Sequence, residues 1–240
     1  SEMCIRDSAY MNLQNQMLDD FFGHGLSSNL TQYYQTIQGV TTYISGKGSF
    51  DGAYIHRDPF PESSCQASNT PDNCMTDADI QTEIQKLADL NGWQGGMQHL
   101  YMIYTSKGED ICDDSSKKSA CANADWCGYH GHVDQNPPIL YAVMPYGDPD
   151  GCGYSKSPNQ NPEADATLTT ASHEISEAMT DPIDAWASYR GNEIADLCDN
   201  TGTGRNTWLS GRANQMWNGH YYALEQEYNN HTKTCVNAGP

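Results

Sequence analysis

Nine cysteines in 240 residues, none of them in a C-x-x-C pair, constrain this chain more than any other feature. Scattered singly, they read as a disulfide framework rather than as structural zinc. Disulfides persist in oxidising compartments, so the expected localisation is secreted or extracellular. Cys65 and Cys74 bracket the turn-rich "QASNTPDN" and are expected to pair. Cys112, Cys121, Cys127 and Cys152 supply two further bridges, and Cys198 with Cys235 ties down the tail. Cys4 is left over. It sits in "SEMCIRDS", which has neither periodicity nor signal-peptide character and resembles translated adapter sequence. Residues 1–8 are therefore expected to be foreign, 9–240 to form one secreted domain, and the native start with any secretion signal to be missing.

The charge balance narrows the partners. Against 31 acidic side chains stand 12 basic ones, a formal net charge of −19. Nucleic acids and anionic membranes need a basic face, so neither is an expected partner. No apolar run approaches the roughly 18 residues of a membrane span; "ILYAVM" is about the longest. A hydrophobic content of 37% suggests a loop-rich domain rather than one with a large core. Sequons at Asn29 ("NLT") and Asn230 ("NHT") permit glycosylation without arguing for it.

Periodicity gives a coarse order of elements. Leu30, Tyr33, Tyr34 and Ile37 have helical spacing and predict a helix over 28–37, followed by a strand at "TTYISG". "MTDADIQTEIQKLADLNGW" predicts an amphipathic helix capped by Thr76 or Asp77. Ile80, Ile84, Leu87 and Leu90 form its stripe, and Asn91-Gly92 stops it. "QHLYMIYTS" and "PILYAVMPY" read as core strands, and "GHYYALEQEY" as a last strand. The order points to a single α+β domain: a mixed sheet, several disulfides and a late helix carrying polar chemistry.

That helix contains "SHEISEAMTDP", residues 172–182. Leu168, Ala171, Ile175 and Met179 share one face and pack inward, and Pro182 ends the helix. His173 and Glu177 are four apart, hence one turn apart on one face and able to share an ion. Glu174 stands about 100° around the helix, placed to act as general base toward an ion-bound water. This is the division of labour of H-E-x-x-H zinc hydrolases, with Glu177 replacing the second histidine. A carboxylate is an accepted zinc ligand, but its charge makes harder divalent cations more competitive. "GNEIADLCD" offers the third ligand: Asp196 is favoured over Glu193, with the other holding His173 or the loop, and Asp199 lies close by. Asp181 and Asp184 are weaker candidates at the helix end. His130 and His132 in "CGYHGHV" offer a candidate ligand pair, but buttressing of the cysteine loop is the favoured reading. A glutamate-rich helix without metal accounts for H-E-x-x-E alone.

The pattern S-H-E-x-x-E-A-x-T-D-P, then A-W, then G-N-E-I-x-D-x-C, resembles secreted proteins related to the EXORDIUM-like (phosphate-induced protein 1) family. "FFGHGLSSNLTQYYQTI", "LYMIYTS", "CGYHG" and "NGHYYALEQEYNNHTKTC" look similar too. The resemblance implies an extracellular protein with a zincin-like site at His173, Glu174, Glu177, Glu193, Asp196 and Cys198. Two functions follow as expectations. One is a secreted zinc metallopeptidase acting on extracellular protein or peptide. The other is a non-catalytic extracellular protein, associated with cell-wall material or glycan, whose ion is structural.

Overall fold

The computed structural model describes residues 8–37, 39–57, 65, 74–116, 120–122, 124–148, 150–152, 157–201 and 213–239. Cys4 and all but the last residue of the adapter-like octapeptide lie outside them. Helix α1 (Ser8–Phe21) and the short helix α2 (Gly25–Leu30) lead into a hairpin, β1 (Tyr34–Ile37) and β2 (Val40–Tyr43). Strand β3 (Cys74–Thr76), helix α3 (Asp77–Asn91), β4 (Leu100–Tyr104), β5 (Asp110–Cys112), β6 (Tyr129–Val133) and β7 (Ile139–Met144) follow. Helix α4 (Pro162–Thr180), a 3-10 turn at Asp196–Thr201, and four short strands complete the order: β8 (Gln215–Trp217), β9 (His220–Tyr222), β10 (Glu227–Asn229) and β11 (Thr234–Val236).

The architecture is mixed α/β with small sheets. The largest sheet has three strands in the order β4-β7-β6, with β4 parallel and β6 antiparallel to the central β7. Every residue of β7 is buried, as expected for an apolar strand covered on both faces. On one face lies α4, backed in turn by α1 and α2; Met17, Phe21, Leu26, Leu168, Ile175 and Met144 belong to the core formed there. On the other face α3 contributes Ile80, Ile84 and Ala88 to a second core with Tyr141 and Val143.

Helix α4 is enclosed on nearly all sides: fifteen of its nineteen residues are buried. Its small side chains make that possible. Hydroxyls at Thr169, Ser172, Ser176 and Thr180 donate back to carbonyls three or four residues earlier, so no polar group is stranded. Asn161 caps the start, with Pro162 in the first turn. The sheet comes close because Gly128 leads into β6. A Cβ there would stand 2.5 Å from Thr170 Cγ2 and 3.0 Å from Glu174 Oε1.

The four expected disulfides are present, with the middle pair resolved as Cys112–Cys121 and Cys127–Cys152 beside Cys65–Cys74 and Cys198–Cys235. Helix α3 is bounded as its caps predict: Thr76 and Asp79 form a capping box, and Gly92 closes the end in the left-handed conformation. Leu90 departs from the expected stripe and is exposed. The helix expected over 28–37 stops at Leu30, and Tyr34–Ile37 pairs as a strand instead. Tyr33 is pulled into the core, its hydroxyl donating to the Tyr228 carbonyl, which fixes an extended exit. The last expected strand is two, separated by an irregular stretch over 223–226. Asn29 is buried and hydrogen-bonded to Tyr228 and Asn229, so its sequon is closed to a glycan in the folded state.

Helix α1 is anchored by a buried acid. Asp20 accepts from the Tyr222 hydroxyl at 2.6 Å, His220 Nδ1 at 2.6 Å and Asn218 Nδ2 at 2.7 Å. Burial alone would raise its pKa, but these donors and the charge of His220 bring it below the ordinary value of 3.8. A depressed carboxylate stabilises the fold above its unfolded pKa, and that contribution disappears as pH falls through the folded one. Asp20→Asn should cost about 1.5–3 kcal/mol at neutral pH. In urea denaturation the gap to wild type should narrow below pH 4.

Candidate metal centre

Helix α4 presents His173 and Glu177 one turn apart, as the spacing requires, with His173 Nε2 3.0 Å from Glu177 Oε2. The segment after the helix folds back over them. Glu177 Oε1 accepts from the backbone amides of Ala195 at 3.0 Å and Asp196 at 3.1 Å, which places Asp196 Oδ1 3.6 Å from His173 Nε2. Asp196 is itself held by the Glu193 amide, at 3.1 Å from Oδ2. His173, Glu177 and Asp196 thus offer three ligand atoms within 4.8 Å of one another.

A second convergence lies beside the first. His130, carried by β6, turns its Nδ1 to Glu174 Oε2 at 3.3 Å and its Nε2 toward Glu193 Oε1 at 3.4 Å and the Asp181 carbonyl at 3.3 Å. Glu193 Oε1 is buried and makes no well-formed hydrogen bond there. His130, Glu177 and Glu193 again bring three ligand atoms within 4.8 Å.

The five residues expected from the sequence thus fall into two neighbouring groups. His173, Glu177 and Asp196 stand together, while Glu174 and Glu193 face His130. His130 leans into the site rather than buttressing the cysteine loop, and His132 joins neither group. Asp181 points its side chain at the Ala185 amide, so only its carbonyl reaches the site. Asp184 lies in the exit turn with a positive φ of 49°, and the side chain of Asp199 is outside the described residues. Sequence reading gave no hint of Glu225, whose Oε2 meets His173 Nδ1 at 3.0 Å, because it comes from a loop 52 positions along the chain. Cys65, Cys74 and Cys112 also converge, but each is in a disulfide and has no thiolate to offer.

The electrostatics are unusual for a buried cluster. Six carboxyl groups (Glu174, Glu177, Glu193, Asp196, Glu225 and Glu227) surround two imidazoles. Among the described residues no lysine or arginine pairs with any of the six. Burial would lower the pKa of His173, but Glu177 and Glu225 override it and hold the ring well above its ordinary range. For His130, burial is likewise overridden, by Glu174 and Glu193, and the value rises to about 10. Burial raises Glu174 and Glu193. Glu177 goes the other way: burial opposes it, yet His173 and the Asp196 amide lower its pKa. Glu227 is fully buried and raised well above the ordinary range by burial. Among the described residues neither of its oxygens has a well-formed hydrogen bond, and the Ser176 hydroxyl beside it donates to the Ser172 carbonyl. A divalent cation is the group such a donor set fits, with imidazole nitrogen and carboxylate oxygen both accepted ligands.

No protein-family model, no curated protein and no solved structure matches this chain. The functional reading rests on the chemistry of these residues. Among the described residues no helix is long and apolar enough to cross a membrane.

Proposed function

We propose that this chain is a secreted, divalent-cation-dependent hydrolase of the zinc metallopeptidase type, with a zincin-like site, related to EXORDIUM-like proteins. The observation that carries the reading is the convergence of His173, Glu177 and Asp196, backed by Glu225 on the far nitrogen of the histidine. A carboxylate on Nδ1 fixes the tautomer that leaves Nε2 free to ligate, the usual support of a metal-bound histidine. A helix laid against a mixed sheet with an antiparallel outer strand supports the fold comparison. The four disulfides support an extracellular setting.

His173, Glu177 and Asp196 would hold the ion. Bound there, it supplies a Lewis acid that acidifies water and polarises a carbonyl. The chain's own part is proton handling and orientation. Glu174, next to the ligand on α4 and shielded from solvent, is the proton acceptor. His130 Nδ1 at its Oε2 keeps the carboxyl oriented. Peptide hydrolysis followed on quenched fluorescent substrates is expected with zinc supplied, and to fall roughly 10²–10⁴-fold in Glu174→Gln while bound metal is retained.

One observation favours the second reading. A groove of about 2030 Å³ is lined by Tyr54, Trp93 and Tyr101 and by none of the candidate ligands. Trp93 stacks on Tyr101 with Tyr54 edge-on, a wall of the sort that suits sugar rings. Metal retained with no hydrolysis of any peptide would transfer the assignment to a non-catalytic, glycan- or cell-wall-associated protein with a structural ion.

A further inference from the structure

Two histidines approach Glu177 from opposite elements, and their surroundings repeat. His173, on α4, has a carboxylate at Nδ1 (Glu225, 3.0 Å) and carboxylates at Nε2 (Glu177, 3.0 Å; Asp196, 3.6 Å). His130, on β6, has a carboxylate at Nδ1 (Glu174, 3.3 Å) and at Nε2 a carboxylate, Glu193 at 3.4 Å, with the Asp181 carbonyl at 3.3 Å. In each, the outer carboxylate accepts Nδ1–H and turns Nε2 toward an oxygen-lined space. Glu177 is common to both sets of converging atoms.

We propose that the site holds two divalent cations rather than one, the second ligated by His130 Nε2 and Glu193 and bridged to the first by Glu177. This rests on the metal reading of His173, Glu177 and Asp196. Three observations carry it beyond that reading. The first is the repeated carboxylate–histidine–carboxylate arrangement. The second is Glu193 Oε1, buried and without a well-formed hydrogen bond, as a ligand oxygen awaiting a cation would be. The third is charge. One divalent ion neutralises two of the six carboxyl groups and two neutralise four, and among the described residues no lysine or arginine pairs with the rest. Glu177 Oε1 already accepts two backbone amides, so Oε2 is the oxygen that would be left to serve the ions. The second position is the richer in oxygen, because the Asp181 carbonyl adjoins it. It should therefore accept Mn²⁺ or Ca²⁺ as well as Zn²⁺.

Metal stoichiometry tests the proposal directly. Protein stripped with a chelator is reloaded with Zn²⁺ by equilibrium dialysis and counted by mass spectrometry. In parallel, Mn²⁺-loaded protein is examined for spin coupling between neighbouring ions. The expected count is two per chain in wild type, one in His130→Asn and in Glu193→Gln, one in His173→Ala, and none in Glu177→Ala. Thermal unfolding of each stripped variant shows whether it is folded, and Glu193→Gln, a near-isosteric change, serves if the histidine variants are not. One ion per chain in wild type, kept by Glu193→Gln but lost by His173→Ala, overturns the second site and leaves the first intact. A single ion lost by both also overturns it, in favour of one centre spanning both histidines. No ion in wild type sinks this proposal and the metal reading together.

Discussion

Glu177→Ala is expected to abolish cation binding. The carboxylate does two jobs that no neighbour duplicates. Its Oε2 faces the same space as His173 Nε2, and its Oε1 holds the amides of Ala195 and Asp196. Truncation removes a ligand and also releases the segment that positions Asp196 and Glu193. Loss of an outer carboxylate, as in Glu225→Gln, should weaken affinity about 10–100-fold; Glu177→Ala should weaken it by more. Glu177→Gln separates the two jobs, since an amide oxygen still accepts from both backbone amides but brings no charge. Competition with a chromophoric chelator gives the three dissociation constants. An affinity in Glu177→Ala within tenfold of wild type would remove Glu177 from the ligand set.

The second large effect belongs to the bridge between Cys198 and Cys235. These residues are 37 apart, the longest separation of the four bridges. In the loop-entropy picture, replacing both by serine costs about 4 kcal/mol, against about 2.5 for the nine-residue separation of Cys112 and Cys121. For a chain of this size that lowers the melting temperature on the order of 10 °C. The loss should reach the site too. Cys198 sits in the 3-10 turn that begins at Asp196, so the bridge pins the ligand segment to β11. A lower melting point with unchanged zinc affinity would mean that the Glu177–amide hydrogen bonds hold this segment unaided.

What could be read from the sequence follows the range of the interactions. Helix α3 was legible in both its ends because its caps are local chemistry, a Thr–Asp box and an Asn-Gly stop. The pairing of His173 with Glu177 needs only helical geometry. Helix α1 escaped notice because its buried face mixes Tyr10, Met17 and Phe21 with Gln14 and Asp20, which blurs the apolar period. Its polar members are explained only by partners far along the chain, Ala164 and Tyr222 among them. At 214–229 the alternation of aromatics hid a turn. Asn218 and Gly219, both with positive φ, close a two-residue hairpin between β8 and β9. That Asn-Gly signal was present in the sequence and was outweighed by "HYYALEQEY". His130 was readable only as one of a candidate pair with His132, and Glu225 could not be placed at all. Their roles depend on how β6 and the loop before β10 sit against α4, which no spacing encodes.

The enclosure of α4 decides where a site of this kind can vary. A helix with so many small, packed side chains has no room for bulkier neighbours, and Gly128 leaves no gap on the sheet side. Substitutions on the helix would disturb the hydrophobic interior before they altered the chemistry. In the segment from Asn192 to Asp196 only Ile194 and Ala195 are buried, Ile194 in the core; Asn192 is exposed and Glu193 and Asp196 are partly exposed, so these three positions are less restricted. Descendants or engineered relatives of this chain should therefore keep a fixed His173–Glu177 pair and change ion preference by exchanging oxygen donors in that one short loop.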